Sequence, residues 1–207
     1  DALESVLDVA FSRRWGYLTA CPTNVGCGIR VSVMVHLPAL RMTGEIERVR
    51  RAAKELHLAV RGFYGEGSDS TGDLYQVSNQ VTLGLSEQDL LEHFRTRIVP
   101  KLIEYEREAR RMLSERNPAV LEDRLHRALG VLSNARLMGF DEAMKLLSRL
   151  RLGACLGRLP ISLATVRRLY LQIQPAHLQL AHGAELTEDQ MRECRATLIR
   201  GELGSVK

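Results

Sequence analysis

Apolar residues are spaced differently in the two halves of the chain. In the first half, residues 29–37 (IRVSVMVHL) alternate between apolar and polar side chains, as a half-buried β-strand does. Residues 58–60 and 74–84 also have strand character, while from Asn117 onward apolar residues recur almost entirely at helical spacing. The pattern therefore predicts a mixed first half followed by a helical second half.

Helices are also predicted within the first half. Thr43 is in position to cap a helix over 44–57, and Ser86 to cap a long one over 87–115 that bends or breaks at Pro100. Residues 2–13 place apolar side chains on one helical face and predict a further helix.

The second half predicts about four helices. Pro118 fits a first helical position, and Asp141 is a candidate N-cap. Two more helices are predicted over 159–175 and 186–203, the latter with Thr187 and Gln190 spaced as a capping box. The predicted fold class is α+β, an antiparallel sheet with flanking helices followed by an all-helical module, with domains at 1–115 and 116–207.

Composition narrows the function classes. Hydrophobic residues make up 45% of the chain, charged residues 26%, and the net charge is +4, which is ordinary for a soluble globular protein. The mild positive charge favours an anionic ligand over DNA, and we expect neither direct nucleic-acid binding nor membrane association. Neither a signal peptide nor zinc-type cysteine spacing is present, so we expect a cytoplasmic protein without a resident metal.

Candidate chemistry is concentrated in two polar segments. Cys21 lies in a turn rich in Gly, Pro and Asn, nine residues before Arg30, and Arg61 opens a glycine-rich loop that contains Glu66. Two arginines suit phosphate oxygens, a carboxylate suits a cationic substrate or a proton transfer, and a thiol beside arginines would have a lowered pKa. Taken singly, each feature also fits a plain loop, an inert cysteine or a solvated strand face.

Two sequence motifs favour the functional interpretation. CPTNVGCGIR (21–30) resembles the cysteine signature of the phosphagen (guanidino) kinases, and VRGFYGEGSDSTGDLYQVSNQVTLG (60–84) resembles their glutamate loop and the strand after it. The sequences of both motifs are most similar to those of the bacterial protein-arginine kinases. The resemblance continues in the helical half through LGVLSNARLMGFDEAMKLLSRLRLG and RATLIR.

The resemblance implies a role for each matching residue. Cys21 matches the thiolate that lies against the substrate guanidinium, and Glu66 matches one of two carboxylates that orient the guanidinium and help to remove its proton. ATP, with Mg²⁺ bound through the nucleotide, would be held by two stretches. These stretches are Arg30, Val31, Ser32, Val33 and Met34, and then Arg61, Gly62, Phe63, Tyr64, Gly65 and Glu66.

The sequence departs from the family pattern at several points. Position 27 is Cys where the family usually has Thr, so Cys27 is either an inert small residue or an oxidative partner of Cys21. The family's SSR arginines and its NEEDH motif, which carries the second carboxylate, have no counterpart in these 207 residues. We therefore expect this chain by itself to bind nucleotide poorly and to be inactive.

In the helical half, the family carries an Arg-Asp-x-x-Arg-Ala motif that senses phosphoarginine allosterically. Here the segment is MRECRA, comprising Met191, Arg192, Glu193, Cys194, Arg195 and Ala196. Only Arg195 and Ala196 match, so the segment is a degenerate site. Arg195 either pairs with a phosphate or is a solvated side chain.

The resemblance also implies a function and partners. The protein would phosphorylate exposed arginine side chains of other proteins, form a homodimer, mark clients for a Clp-type ATPase and its protease, and control a heat-shock repressor. A zinc-finger activator protein is a further expected partner. The alternatives are a non-catalytic phosphoarginine-binding or dimerisation module and, less favoured because of the helical extension, a free-arginine kinase.

Overall fold

A three-stranded antiparallel sheet is the centre of the first half. The computed structural model describes residues 2, 4–63 and 71–204. Its strands are β1 (Phe11–Ser12) and β2 (Gly16–Tyr17), which form a small hairpin, and β3 (Ser32–His36), β4 (Leu58–Gly62) and β5 (Leu74–Asn79), which form the sheet. The order in the sheet is β3-β5-β4, so β5 pairs with both neighbours.

The alternation predicted for the first strand is confirmed. Val31, Val33 and Val35 pack against the buried core beneath the sheet, while Met34 on the other face is 44% exposed. The strand is shorter than predicted, because ladder pairing begins at Ser32 and leaves Arg30 before it. Likewise β5 ends at Asn79 rather than at residue 84.

The helix predicted over 2–13 is wrong. Turns and bends occupy residues 4–7, and Phe11 and Tyr17 pack edge to face in the β1–β2 hairpin with ring centroids 5.2 Å apart. Val6 is 75% exposed. An apolar stripe stabilises a short helix only when it packs on another surface, and this one does not.

Two helices replace the one predicted over 44–57. They are α1 (Pro38–Thr43) and α2 (Ile46–Glu55). Gly44 adopts a left-handed conformation (φ 78°) that ends α1, so Thr43 is its last residue rather than the cap of α2. The Thr43 hydroxyl instead donates back to the carbonyl of Ala39.

The long helix begins as predicted and does not break at Pro100. Helix α3 (Glu87–His93) is capped by Ser86, whose Oγ accepts the Asp89 N–H, and it leads through a π-helical segment (Phe94–Ile98) into α4 (Val99–Arg116). A proline lacks an N–H and crowds the carbonyl four residues back, and the wider π turn before Pro100 accommodates both.

Five helices follow Arg116 in the described chain, where about four were predicted. They are α5 (Pro118–Asn134), α6 (Phe140–Cys155), α7 (Leu163–Gln172), α8 (Pro175–His182) and α9 (Glu188–Gly204). Pro118 opens α5 and Thr187 and Gln190 form the predicted capping box, whereas Gly139 rather than Asp141 is the N-cap of α6. The prediction over 159–175 is replaced by α7 and α8, with Ser162 as cap and Pro175 starting α8.

Two clusters of buried side chains form the interior. One lies between the sheet and helices α1–α4, and the other fills the helical half and also takes in Leu74 of β5. A buried polar contact joins the halves: Ser148 Oγ of α6 donates to Asp73 Oδ2 at 2.6 Å. The α+β class is confirmed, and the division into domains at 115/116 stays a prediction.

In the described part of the chain, no helix combines the length and the apolar character that crossing a membrane requires.

Candidate active site

A cleft of about 800 Å³ lies beside the sheet, where four separate segments meet. Its walls come from the cysteine turn, the segment before β3, the two ends of β4, and the residues that follow β5. Three of the predicted site residues line this cleft together: Cys21, Arg30 and Arg61. None of its described lining residues is acidic, so the cleft suits an anionic ligand.

The cysteine turn is held by hydrogen bonds from threonine hydroxyls to its backbone carbonyls. Cys21 precedes a 3₁₀ turn at Pro22–Asn24, and its carbonyl accepts the Thr19 hydroxyl at 2.7 Å. Beyond the turn, Thr82 Oγ1 donates to the carbonyl of Val25 at 2.8 Å. Gly26 (φ 125°) passes so close to the Thr82 carbonyl that any side chain there would overlap it.

The thiol of Cys21 is exposed, and it lies within hydrogen-bonding distance of Thr23. Its Sγ lies 3.0 Å from Thr23 Oγ1, and hydrogen bonds from the Thr23 hydroxyl and backbone N–H lower the pKa of the Cys21 thiol. The predicted direction of the pKa shift is thus present, but its cause is Thr23 and not the neighbouring arginines.

Each arginine reaches the cleft from a different backbone segment. Arg61 belongs to β4, opposite Gln76 of β5, and is half-buried. Arg30 is exposed and lies two residues before β3, where the side chain of Asn79 replaces the missing ladder partner. Asn79 Oδ1 accepts the Val31 N–H at 2.7 Å, and Nδ2 donates to the Ile29 carbonyl at 3.1 Å.

Comparison with known proteins assigns this arrangement to a family. Residues 1–109 match the model of the ATP:guanido phosphotransferase C-terminal catalytic domain, which is more than half of the chain. The chain belongs to the ATP:guanido phosphotransferase family. Residues 118–207 match the model of the protein-arginine kinase McsB C-terminal domain.

Curated relatives agree with both matches. A protein-arginine kinase of Caldanaerobacter subterraneus is 45% identical over 98% of this chain and 60% of its own length. One from Halalkalibacterium halodurans is 48% identical over 98% of this chain and 57% of its own. This chain therefore spans a little under two thirds of these relatives. Among solved structures, a taurocyamine kinase from Schistosoma mansoni is 32% identical over 52% of this chain and 14% of its own, with a TM-score of 0.46.

The structure describes only part of the two predicted nucleotide stretches of this chain. Val31 is fixed by Asn79, and Ser32, Val33 and Met34 form most of β3, with Val33 turned to the core. Gly62 is buried at the end of β4, and Phe63 packs against the helical core. Tyr64, Gly65 and Glu66 lie outside the described residues, so the catalytic role of Glu66 stays a prediction.

Cys27 and Cys21 are both free thiols. Cys27 packs against the core beneath the sheet, whereas Cys21 is exposed in the cleft wall. This placement favours the inert alternative for Cys27 over oxidative pairing. Within the described residues, no group of three or more His, Cys, Asp or Glu side chains is arranged to hold a metal ion.

The degenerate MRECRA segment lies on α9. One of the two alternatives for Arg195, a solvated side chain, is wrong. Arg195 is 1% exposed, its Nε donates to the Ile173 carbonyl at 3.0 Å, and its Nη1 donates to the Met138 carbonyl at 2.8 Å. Burial lowers the pKa of this guanidinium. In this arrangement Arg195 joins three parts of the helical half, and its pairing with a phosphate stays a prediction.

The remaining residues of the segment differ in their exposure to solvent. Ala196 is buried and Met191 is half-buried, while Arg192 forms an ion pair with Asp189 at 3.4 Å. Glu193 and Cys194 line a separate surface cavity of about 610 Å³.

Sequence reasoning missed several residues of the cleft. They are Thr19, Thr23, Asn24, His57, Asn79, Gln80 and Thr82. One signal was available, because Asn is disfavoured in strands, so an Asn within the strand predicted over 74–84 indicates a specific hydrogen-bonding role. His57 gave no such signal, and its left-handed backbone (φ 52°) is visible only in three dimensions.

Proposed function

We propose that this protein is an ATP-dependent kinase that phosphorylates arginine side chains of other proteins. The observation that carries the proposal is that Cys21, Arg30 and Arg61, from three separate segments, line one cleft without a described acidic side chain. Phosphoryl transfer depends mainly on positioning and on neutralising negative charge, and these residues are suited to both tasks.

In this proposal the two arginines hold phosphate oxygens of ATP, and Mg²⁺ enters with the nucleotide and neutralises further charge. The Cys21 thiolate, favoured by Thr23, lies against the cationic guanidinium of the substrate. The bond from the γ-phosphorus to the bridging oxygen breaks while a bond to a guanidinium nitrogen forms. Glu66 accepts the proton that this nitrogen loses.

The wider role rests on the relatives named protein-arginine kinase. We propose a cytoplasmic homodimer that acts on exposed arginines, marks clients for a Clp-type ATPase and regulates a heat-shock repressor, with a zinc-finger protein as activator. Four free cysteines support a reducing compartment.

The test is to incubate the full-length protein with ATP, Mg²⁺ and an arginine-rich protein and to measure acid-labile phosphate on arginine. We expect activity in the wild type and a loss of at least about 100-fold in Arg30→Ala, because transition-state charge is no longer neutralised. The control is Arg48→Ala, which removes an exposed arginine of α2 outside the cleft and should leave activity unchanged. No phosphoarginine, together with retained binding of phosphoarginine peptides, would instead indicate a non-catalytic module.

A further inference from the structure

Asn79 forms hydrogen bonds with the segment that carries Arg30. It is 5% exposed, and it is the last residue of β5, where it pairs with Leu58 of β4. The ladder between β5 and β3 ends at Ser32 and Ser78, so residues 29–31 lie beyond the regular sheet. A segment outside a ladder needs other partners for its backbone if it is to be fixed.

The carboxamide of Asn79 supplies those partners on both sides of Arg30. Its Oδ1 accepts the Val31 N–H at 2.7 Å, and its Nδ2 donates to the Ile29 carbonyl at 3.1 Å and to the Val81 carbonyl at 3.3 Å. The Asn79 backbone N–H also donates to the Val31 carbonyl at 3.3 Å. Only one orientation of the amide satisfies all three side-chain contacts, because one atom must accept and the other must donate.

We propose that Asn79 is a positioning residue that fixes the backbone on either side of Arg30 and thereby pre-organises the Arg30 guanidinium for nucleotide phosphate. This inference rests on the proposed function, since it assigns Arg30 the phosphate-binding role. Through its pairing with Leu58, Asn79 also ties the Arg30 segment to β4, the strand of Arg61. A ligand that bridges both arginines therefore meets them at a fixed separation, and less conformational entropy is lost on binding.

The experiment is a double-mutant cycle on the full-length protein, with Mg²⁺-ADP affinity measured by calorimetry. We expect Asn79→Ala to weaken nucleotide binding about tenfold, because a segment that is no longer pre-organised loses more conformational entropy when the nucleotide binds. In an Arg30→Ala background the same change should alter affinity less than about twofold, because a residue that acts through Arg30 has nothing left to position.

The matched control is Ser78→Ala, which changes the adjacent buried residue of β5, whose Oγ has no hydrogen-bond partner among the described residues. It should leave nucleotide affinity unchanged. Hydrogen–deuterium exchange over residues 29–32 provides a second readout, and the amide of Val31 should exchange faster in Asn79→Ala than in Ser78→Ala. If Asn79→Ala does not fold, Asn79→Asp replaces it in the same measurements, because Asp keeps the acceptor oxygen and the side-chain volume and removes both N–H donors.

Three results would overturn the inference: an affinity loss no larger than that of Ser78→Ala, a tenfold loss that persists without Arg30, or unchanged exchange at Val31. A different pattern identifies a failure of the proposed function. In that case the wild type binds no nucleotide, or Arg30→Ala has no effect on its binding, whereas the exchange data still show whether Asn79 holds the segment.

Discussion

At the scale of single residues, short polar side chains prepare the cleft. Asn79 and Thr82 each form a hydrogen bond with a separate segment, and Thr23 contacts Cys21 within the same turn. None of the three is itself a residue of the proposed chemistry. Cys21 shows the effect most directly, because the pKa of its thiol is lowered by one hydroxyl and one backbone N–H.

We predict that Thr23→Val raises the pKa of the Cys21 thiol and slows its alkylation by iodoacetamide a few-fold at pH 7, since less thiolate is present. The measurement is the alkylation rate as a function of pH. Thr19→Val is the control, because the Thr19 hydroxyl donates to the Cys21 carbonyl and not to its sulfur. If the pH profile of alkylation is unchanged in Thr23→Val, the Thr23 hydroxyl does not lower the pKa of the Cys21 thiol.

At the scale of elements, a buried carboxylate joins α4 to the start of α1. Glu106 is 5% exposed, and its two oxygens accept the N–H groups of Ala39 and Leu40 at 3.2 and 3.1 Å and that of Arg110 Nε at 2.7 Å. The first N–H groups of a helix have no partner within it, so Glu106 serves as a cap supplied from a distant element. Burial nevertheless raises the pKa of the Glu106 carboxyl.

Replacing this residue should therefore be costly. We predict that Glu106→Ala lowers the free energy of unfolding by about 2–3 kcal/mol, because two buried N–H groups lose their acceptor. Urea unfolding at pH 7 provides the measurement. On the same helix, Glu104→Ala removes an exposed pair with Lys101 and should cost less than about 0.5 kcal/mol. Equal losses in the two variants would contradict the capping role.

Local chemistry predicted three of the five helix starts that were named from the sequence, and it failed for Thr43 and Asp141. Ser86, Pro118 and the Thr187–Gln190 pair mark starts through local chemistry, and all three are confirmed. Glu106 could not be predicted as a cap, because it lies 67 and 66 positions along the chain from Ala39 and Leu40, whose N–H groups it accepts. The stripe over 2–13 was misleading for a related reason, since periodicity does not show whether a partner surface exists.

At the scale of the whole molecule, a buried polar chain connects the sheet to the helical half. Ser148 of α6 donates to Asp73, and His36 Nε2 lies 2.9 Å from Ser148 Oγ. Because the single hydroxyl proton goes to Asp73, His36 is the donor through Nε2. Burial, with Arg151 and Arg110 nearby, keeps the pKa of His36 well below its usual value, whereas burial raises the pKa of Asp73.

The pH dependence of stability follows from the sign of the His36 shift. In the unfolded chain His36 takes up a proton below about pH 6.5, while in the folded chain it stays neutral to a lower pH. The unfolded state therefore binds more protons, and we predict that stability falls by up to about 1.4 kcal/mol per pH unit below pH 6.5.

The measurement is urea unfolding of the wild type and of His36→Gln between pH 7 and pH 5. The difference between the two proteins isolates His36 from Asp73, whose raised pKa acts in the opposite direction at lower pH. Parallel stability curves for the two proteins would show that His36 is not a buried neutral group.

Three features follow from the amino-acid sequence alone: the residue types of the site, the strand alternation around Val33 and Val35, and the family motifs at 21–30 and 60–84. These are local properties, set by neighbours along the chain. Only the tertiary structure placed Cys21, Arg30 and Arg61 in one cleft, buried Arg195 and gave Asn79 its partners. Each of these depends on contacts between residues about twenty to sixty positions apart, and no periodicity or short motif encodes which distant backbone groups a side chain will meet.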